Sequence, residues 1–359
     1  MISRFDRHLL AEWTRTFVFS TLMISVILMA STQLLPWIST VSDYAIPLVH
    51  ATQLLVCQLP GIFLYAVPMG SLCASLVSIS QLNQQLAIVS VRAMGISIPR
   101  IIQPVIGISL LLSFLSIGIN EYGVAPSNQL ADRITQQFTK TATDPMIHYQ
   151  AFTPQGHLAY SLTATTHYDS TTLHKATLVE YEQSRIIRIT RAENAHWQAP
   201  SWVFSQGLQF TIHSNRIQST PIQTPWKTTM SIPPDQLVAA DMRADQLTSQ
   251  ALKAQIEHKQ ATGRFNRDDQ FNWHVKFSLP FTSLTFAIIG ALMSFSFQRT
   301  RSASNIGLGV GIIIAYYVLL SITMGLCLLG WIYPVIAAWS PNAVLLTISL
   351  IWHRANISA

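Results

Sequence analysis

Six apolar runs, each long enough to cross a bilayer, constrain this chain more than any motif in it. They fall at about residues 13–37, 52–80, 100–119, 277–297, 305–329 and 333–352. A hydrocarbon core of roughly 30 Å takes about 20 helical residues, so each run meets the length of a membrane helix. Between the third and fourth runs lies a polar stretch, Asn120 to Lys276, which is long enough to be a domain of its own. The expected fold class is therefore a helical membrane protein of six transmembrane helices, arranged three and three around an inserted domain. Its segments are 1–119, 120–276 and 277–359. Composition agrees: of 359 residues, 50% are hydrophobic and 11% charged, whereas a soluble domain carries about 25% charged residues. A purely soluble enzyme is excluded. The first run is too long for a removable signal peptide and lacks a small-residue cleavage site, so it reads as a retained helix. Cys57, Cys73 and Cys327 all sit in apolar runs and read as small buried hydrophobes, with no disulfide or metal framework.

The placement of charge sets the orientation. Outside the insert the basic residues are Arg4, Arg7, Arg15, Arg92, Arg100, Arg299, Arg301 and Arg354, and with six spans all of them fall on one face. The opposite short loops, 39–50 and 331–341, hold no Lys or Arg. The positive-inside rule then puts both termini of this multi-pass chain in the cytoplasm and the insert outside it. The net charge of +6 is what this topology requires, so nucleic acid is not an expected partner.

The insert reads as all-β. Short alternating runs, including His157–Leu162, Ala176–Tyr181, Arg185–Thr190 and Trp202–Ser205, are separated by polar and turn residues. Two aromatic strand ends at Trp197 and Trp202 flank a Pro-containing turn, a hairpin signal. Strands with one apolar face must pack a second sheet or close on themselves, so a sandwich or jellyroll-like domain is expected. From Asp245 to His258 the pattern turns helical, with Leu252 and Ile256 one turn apart and Gly263 as a stop.

Catalytic motifs are missing. No Gly-Lys dipeptide exists, so no Walker-type phosphate loop can form, and H-E-x-x-H, G-x-S-x-G and Cys-x-x-Cys are absent. His196, beside Trp197, reads as a strand histidine. No acidic or basic residue stands centrally in a span, which argues against an ion-coupled carrier. The chain is expected to be non-catalytic, without cofactor or metal, and driven by energy from elsewhere. The stretch 81–97, QLNQQLAIVSVRAMGIS, lies between two spans on the cytoplasmic side. Leu82 and Leu86, then Ile88 and Val89, give a short amphipathic helix, with Gly95 as its stop and Ser97 as a new N-cap before Pro99. Such a helix can dock in a groove of another protein, or it can be an ordinary interfacial turn that holds Arg92 at the lipid headgroups.

The order of these features, with particular strings, resembles the lipopolysaccharide-export permeases, the F and G subunits of the Lpt ABC transporter (the YjgP/YjgQ family). The resemblance covers nearly the whole chain. It rests on Arg-Phe-Asp-Arg-His-Leu-Leu at the N-terminus, Leu-Ala-Ile-Val-Ser-Val-Arg-Ala-Met-Gly-Ile-Ser ending at Ser97, Asn120-Glu121 with Pro126-Ser-Asn128, and the paired-Trp hairpin. His274-Val-Lys276-Phe-Ser-Leu-Pro280 and Ala338-Trp-Ser-Pro-Asn342 complete it. It implies one half of an ABC transporter permease with an extracytoplasmic β-jellyroll. The partners it implies are a cytoplasmic ATPase dimer, a second permease half (a relative or a second copy), a periplasmic jellyroll bridge protein, and lipopolysaccharide or a similar glycolipid as cargo. By the same resemblance residues 81–95 are the coupling helix, with Leu82, Gln84, Gln85, Leu86, Ala87, Ile88, Arg92 and Gly95 at the ATPase contact. Gly307, Gly309 and Gly311 of the fifth span would allow close helix packing at a gate, and equally read as plain packing glycines. The chain departs from the family at Ala87, where many members are acidic, and at the outer end of the first helix, which lacks the lysines of some G-type members. An apolar cavity without internal charge suits acyl chains, and an apolar β slot would shield them at about 0.8 kcal/mol per CH₂.

A second reading from another class is a membrane-anchored envelope assembly or scaffold protein whose β domain binds other proteins. It needs no ATPase and no lipid cavity. A permease of the efflux or mechanotransmission type is disfavoured, since its outer domain would follow the first helix and here the insert follows the third.

Overall fold

The computed structural model describes residues 4–139, 146–152, 158–166, 171–182, 185–213, 216–222, 225–228, 230, 233–234, 243–261, 266–296 and 302–357. His157, Gly263, Arg299 and Arg301 lie outside the described residues. Among the described residues six helices are long and apolar enough to cross a membrane. The first span joins α1 (Arg4–Leu28), a π turn (Met29–Gln33) and α2 (Leu34–Asp43). The second is α3 (Leu48–Gln84), followed by the short α4 (Ala87–Ala93). The third joins α5 (Ile98–Ile119), a π turn (Asn120–Val124) and α6 (Ala125–Thr139). After the insert come α8 (Arg267–Ser296), α9 (Ser302–Leu328) and α10 (Pro334–Ile357), the fourth to sixth spans; α7 (Ser249–Ala261) is the helix within the insert.

These helices outrun the apolar windows read from sequence. A helix satisfies its own backbone, so it can continue past the hydrocarbon wherever polar side chains take over. For the same reason the division between the parts shifts from 120 and 276. Contacts group Met1–Ala131 with Arg267–Ala359 in one compact unit and Asp132–Asn266 in another.

The helical unit is built on its second and fourth spans, which are mostly buried, while the first and fifth are mostly exposed. Two glycines set the close approaches. A Cβ at Gly290 would stand 2.9 Å from both the Leu72 carbonyl oxygen and Ser75 Cβ, and one at Gly70 would meet the Thr21 side chain. One end of the unit is closed by an apolar cluster of Leu9, Trp13, Leu82, Ile88, Ile101 and Phe295 with their neighbours. That cluster brings the start of the first span, the segment after the second, the start of the third and the end of the fourth together. We call this end the terminal face. On it Arg100 Nη2 donates to Asp6 Oδ2 at 3.2 Å. Arg100 is half exposed, so the pair orients the helix starts more than it stabilises them.

In the insert the described strands form one antiparallel sheet in chain order, β1 (Met146–Phe152), β2 (Leu158–Thr166), β3 (Thr172–Glu182), β4 (Arg185–Gln198), β5 (Ser201–His213) and β6 (Arg216–Ile222). β7 (Trp226–Lys227) pairs with β5 on the same side as β6, so β6 and β7 are two pieces of one edge. Every strand lies beside its sequence neighbour, the order of a meander. The expected Trp hairpin is present: Trp197 pairs with Trp202 and Gln198 with Ser201 across the two-residue turn Ala199-Pro200. Alternation, shifted by one residue at Lys175 in β3, puts Tyr149, Leu162, Leu173, Leu178, Trp202 and Phe204 in one apolar cluster. The helix expected from Asp245 begins later, at Ser249. Thr248 Oγ1 accepts from the Ala251 N–H as an N-cap, and Asp245 is drawn instead to Arg243 at 3.0 Å.

Candidate functional site

The segment between the second and third spans is an elbow. α3 ends at Gln84, Leu86 takes a left-handed conformation (φ +59°), and α4 then runs only from Ala87 to Ala93. Gly95 is also left-handed (φ +83°), the conformation for which glycine is suited, and Ser97 opens α5 with Pro99 in its first turn. The single amphipathic helix expected over 81–95 is therefore corrected. The left-handed residue resets the helical phase, so Leu82 and Leu86 do not share a face. Leu82 and Ile88 are 2% exposed and, with Val91, pack into the terminal cluster, while Leu86 is 64% exposed. Ala87 is half-buried against that cluster, and Gln84, Gln85, Arg92 and Gly95 are exposed.

The elbow thus presents an apolar outer surface of Leu86, Val89, Met94 and Ile96, all exposed, beside Arg92. Met94 and Ile96 were missed in the sequence. Their signal was there, two large apolar residues flanking a glycine where a turn should be polar.

The second constellation was also missed, and it lies in the fourth span. Pro280 lies inside α8, which runs on through it, and has no N–H to give to the Lys276 carbonyl one turn back. Around that point four other spans bond to this one. From the third, Asn120 Nδ2 donates to the Lys276 carbonyl at 3.1 Å, and Ser113 Oγ meets Ser283 Oγ at 2.8 Å. From the second, Ser71 Oγ donates to the Ser283 carbonyl at 2.8 Å. From the fifth, the Tyr316 hydroxyl meets Thr282 Oγ1 at 2.7 Å, and from the sixth, Asn342 Nδ2 donates to the Ser278 carbonyl at 3.1 Å. The available signal was the helical spacing of Ser71, Ser75 and Ser78 and of Ser109, Ser113 and Ser116 in otherwise apolar spans, which marks close helix interfaces. Lys276, read from sequence as the last residue of the insert, lies within α8 and is buried.

The three glycines of the fifth span differ in their surroundings. A Cβ at Gly309 would lie 3.0 Å from Leu76 Cδ1 of the second span, whereas one at Gly307 or Gly311 would meet no other element within 4 Å among the described residues. These two sit one turn apart beside exposed Val310, Ile314 and Val318.

No curated protein matches the chain. A family model for the lipopolysaccharide export system permease LptF/LptG matches residues 7–355. That span takes in all six apolar helices, the elbow and the β insert together. The chain therefore belongs to the LptF/LptG family of lipopolysaccharide export permeases, as a multi-pass, non-catalytic transporter subunit of the inner membrane.

Proposed function

We propose that this chain is one half of the membrane part of an ABC exporter, which takes lipopolysaccharide or a related glycolipid from the inner membrane and passes it to a periplasmic bridge. The terminal face is cytoplasmic and the insert periplasmic. The observation that carries the reading is the elbow. A chain with no phosphate-binding loop needs its energy delivered, and the elbow offers Leu86, Val89, Met94 and Ile96 to a partner from a rigid base of Leu82, Ile88 and Val91. A cytoplasmic ATPase dimer is the partner that fits, with Gln84, Gln85 and Arg92 as polar contacts at its rim. Ala87, half-buried against the cluster, brings no charge to that contact. The exposed Gly307 and Gly311 strip suits a second permease half, and the sheet edges of the insert suit the bridge protein.

The test is Leu86→Asp in the full chain, with the complex purified from native membranes in mild detergent. The expected result is at least tenfold less ATPase recovered with the chain and loss of glycolipid export, at an unchanged melting temperature because Leu86 points outward. A variant that keeps its ATPase and its export would sink the elbow as the docking site. Recovery of the unaltered chain with envelope proteins alone would favour the scaffold reading.

A further inference from the structure

We propose that Asn120 is a positioning residue of the permease: it supplies from the third span the rung that Pro280 removes from the fourth, and transport needs that tie between the two spans. The transport part rests on the function proposed above; the hydrogen-bond part does not.

The argument starts from the chemistry of proline. A helix passing Pro280 lacks one rung, because the ring nitrogen cannot donate to the Lys276 carbonyl. In a membrane such a carbonyl is tolerated when a neighbouring helix or a polar side chain serves it. Asn120 does so from 156 residues away, with its side-chain amide 3.1 Å from that oxygen and its own side chain buried. Its location is built for the purpose. Asn120 opens the π turn Asn120–Val124, where the third span widens by one residue, and π turns of this kind concentrate at functional sites. The same logic recurs nearby on a smaller scale: Ser340 Oγ donates at 3.4 Å to the Ala337 carbonyl, the rung that Pro341 removes. At Pro280, by contrast, the substitute donor comes from another span. Asn120 therefore ties together the points where the chain is about to leave the helical unit and has just re-entered it. A rung supplied within the fourth span would satisfy the same carbonyl without that tie.

This difference gives a test with two readouts on the full chain in its complex: the melting temperature, and ATP-driven glycolipid release from proteoliposomes. Asn120→Leu should lower the melting temperature by about 2–4 °C and cut release at least tenfold. Adding Pro280→Ala returns an N–H to position 280, so the double variant should regain the melting temperature while release stays low. Recovery of both readouts in the double variant would make Asn120 structural only and overturn the proposal. So would a double variant no more stable than Asn120→Leu, or an Asn120→Leu variant with normal release. If the unaltered complex releases no glycolipid, the proposed cargo is wrong, and the melting temperatures still decide whether Asn120 serves the Lys276 carbonyl.

Discussion

In the β insert the side chains with no exposure include Leu162, Trp202 and Phe204, whereas in the helical unit Ser71, Ser75, Ser78, Ser109 and Ser113 are buried just as completely. Phe19, Val26 and Ile27 of the first span, and Ile314 and Val318 of the fifth, are more than half exposed. The two units fold under different solvents. The insert gains stability by removing apolar area from water. The helices gain nothing of that kind among lipid tails, so they associate through close packing and hydrogen bonds, and their small polar residues turn inward.

The largest effect that would sharpen this contrast is Trp202→Ala. Trp202 is fully buried and its ring lies 5.4 Å from that of Trp197, so truncation should cost about 3–5 kcal/mol. Protease should then cut the insert readily in the full chain while the helical unit stays intact, and an insert that remains resistant would break the comparison. Next is Gly290→Val, where an added side chain strikes the Leu72 carbonyl and Ser75. Overpacking of this kind costs about 1–3 kcal/mol. The detergent-purified chain should melt lower, and an unchanged melting temperature would mean that the second and fourth spans are not held as closely as described. Smallest is the bond itself from Trp13 Nε1 to Ser75 Oγ at 2.9 Å, which Trp13→Phe removes together with part of a buried ring. Interhelical bonds in membranes average about 0.6 kcal/mol, so a double-mutant cycle with Ser75→Ala should return a coupling of that order. A coupling near zero would leave packing alone to hold the first span.

Much of the architecture was legible beforehand because its signals are local. Apolar run length marks each span, alternation marks each strand, and Trp197 and Trp202 around Ala199-Pro200 mark the hairpin. The elbow was legible as a position but not as a surface. Its residues were read as one continuous helical phase, and a single left-handed residue, Leu86, turned Leu82 inward and left itself outside. Met94 and Ile96 carry no weight in that reading because they flank Gly95, its expected helix stop. The hub at Pro280 was legible only as close helix interfaces, through the spacing of its serines. Pro280 announces a missing rung, but nothing near it in the chain says who fills it.

By itself, then, the sequence determined the number of spans, the position and class of the insert, and the polar turn points between elements, because each follows from hydrophobicity and backbone preference within a window of a few turns. The tertiary structure alone decided which face of the elbow is free, which of the three glycines of the fifth span meets a neighbour, and that Asn120 serves the carbonyl of Lys276. Those outcomes depend on how helices distant in sequence rotate and slide against one another. That rotation is set by the sum of many contacts, and no single stretch of chain contains it.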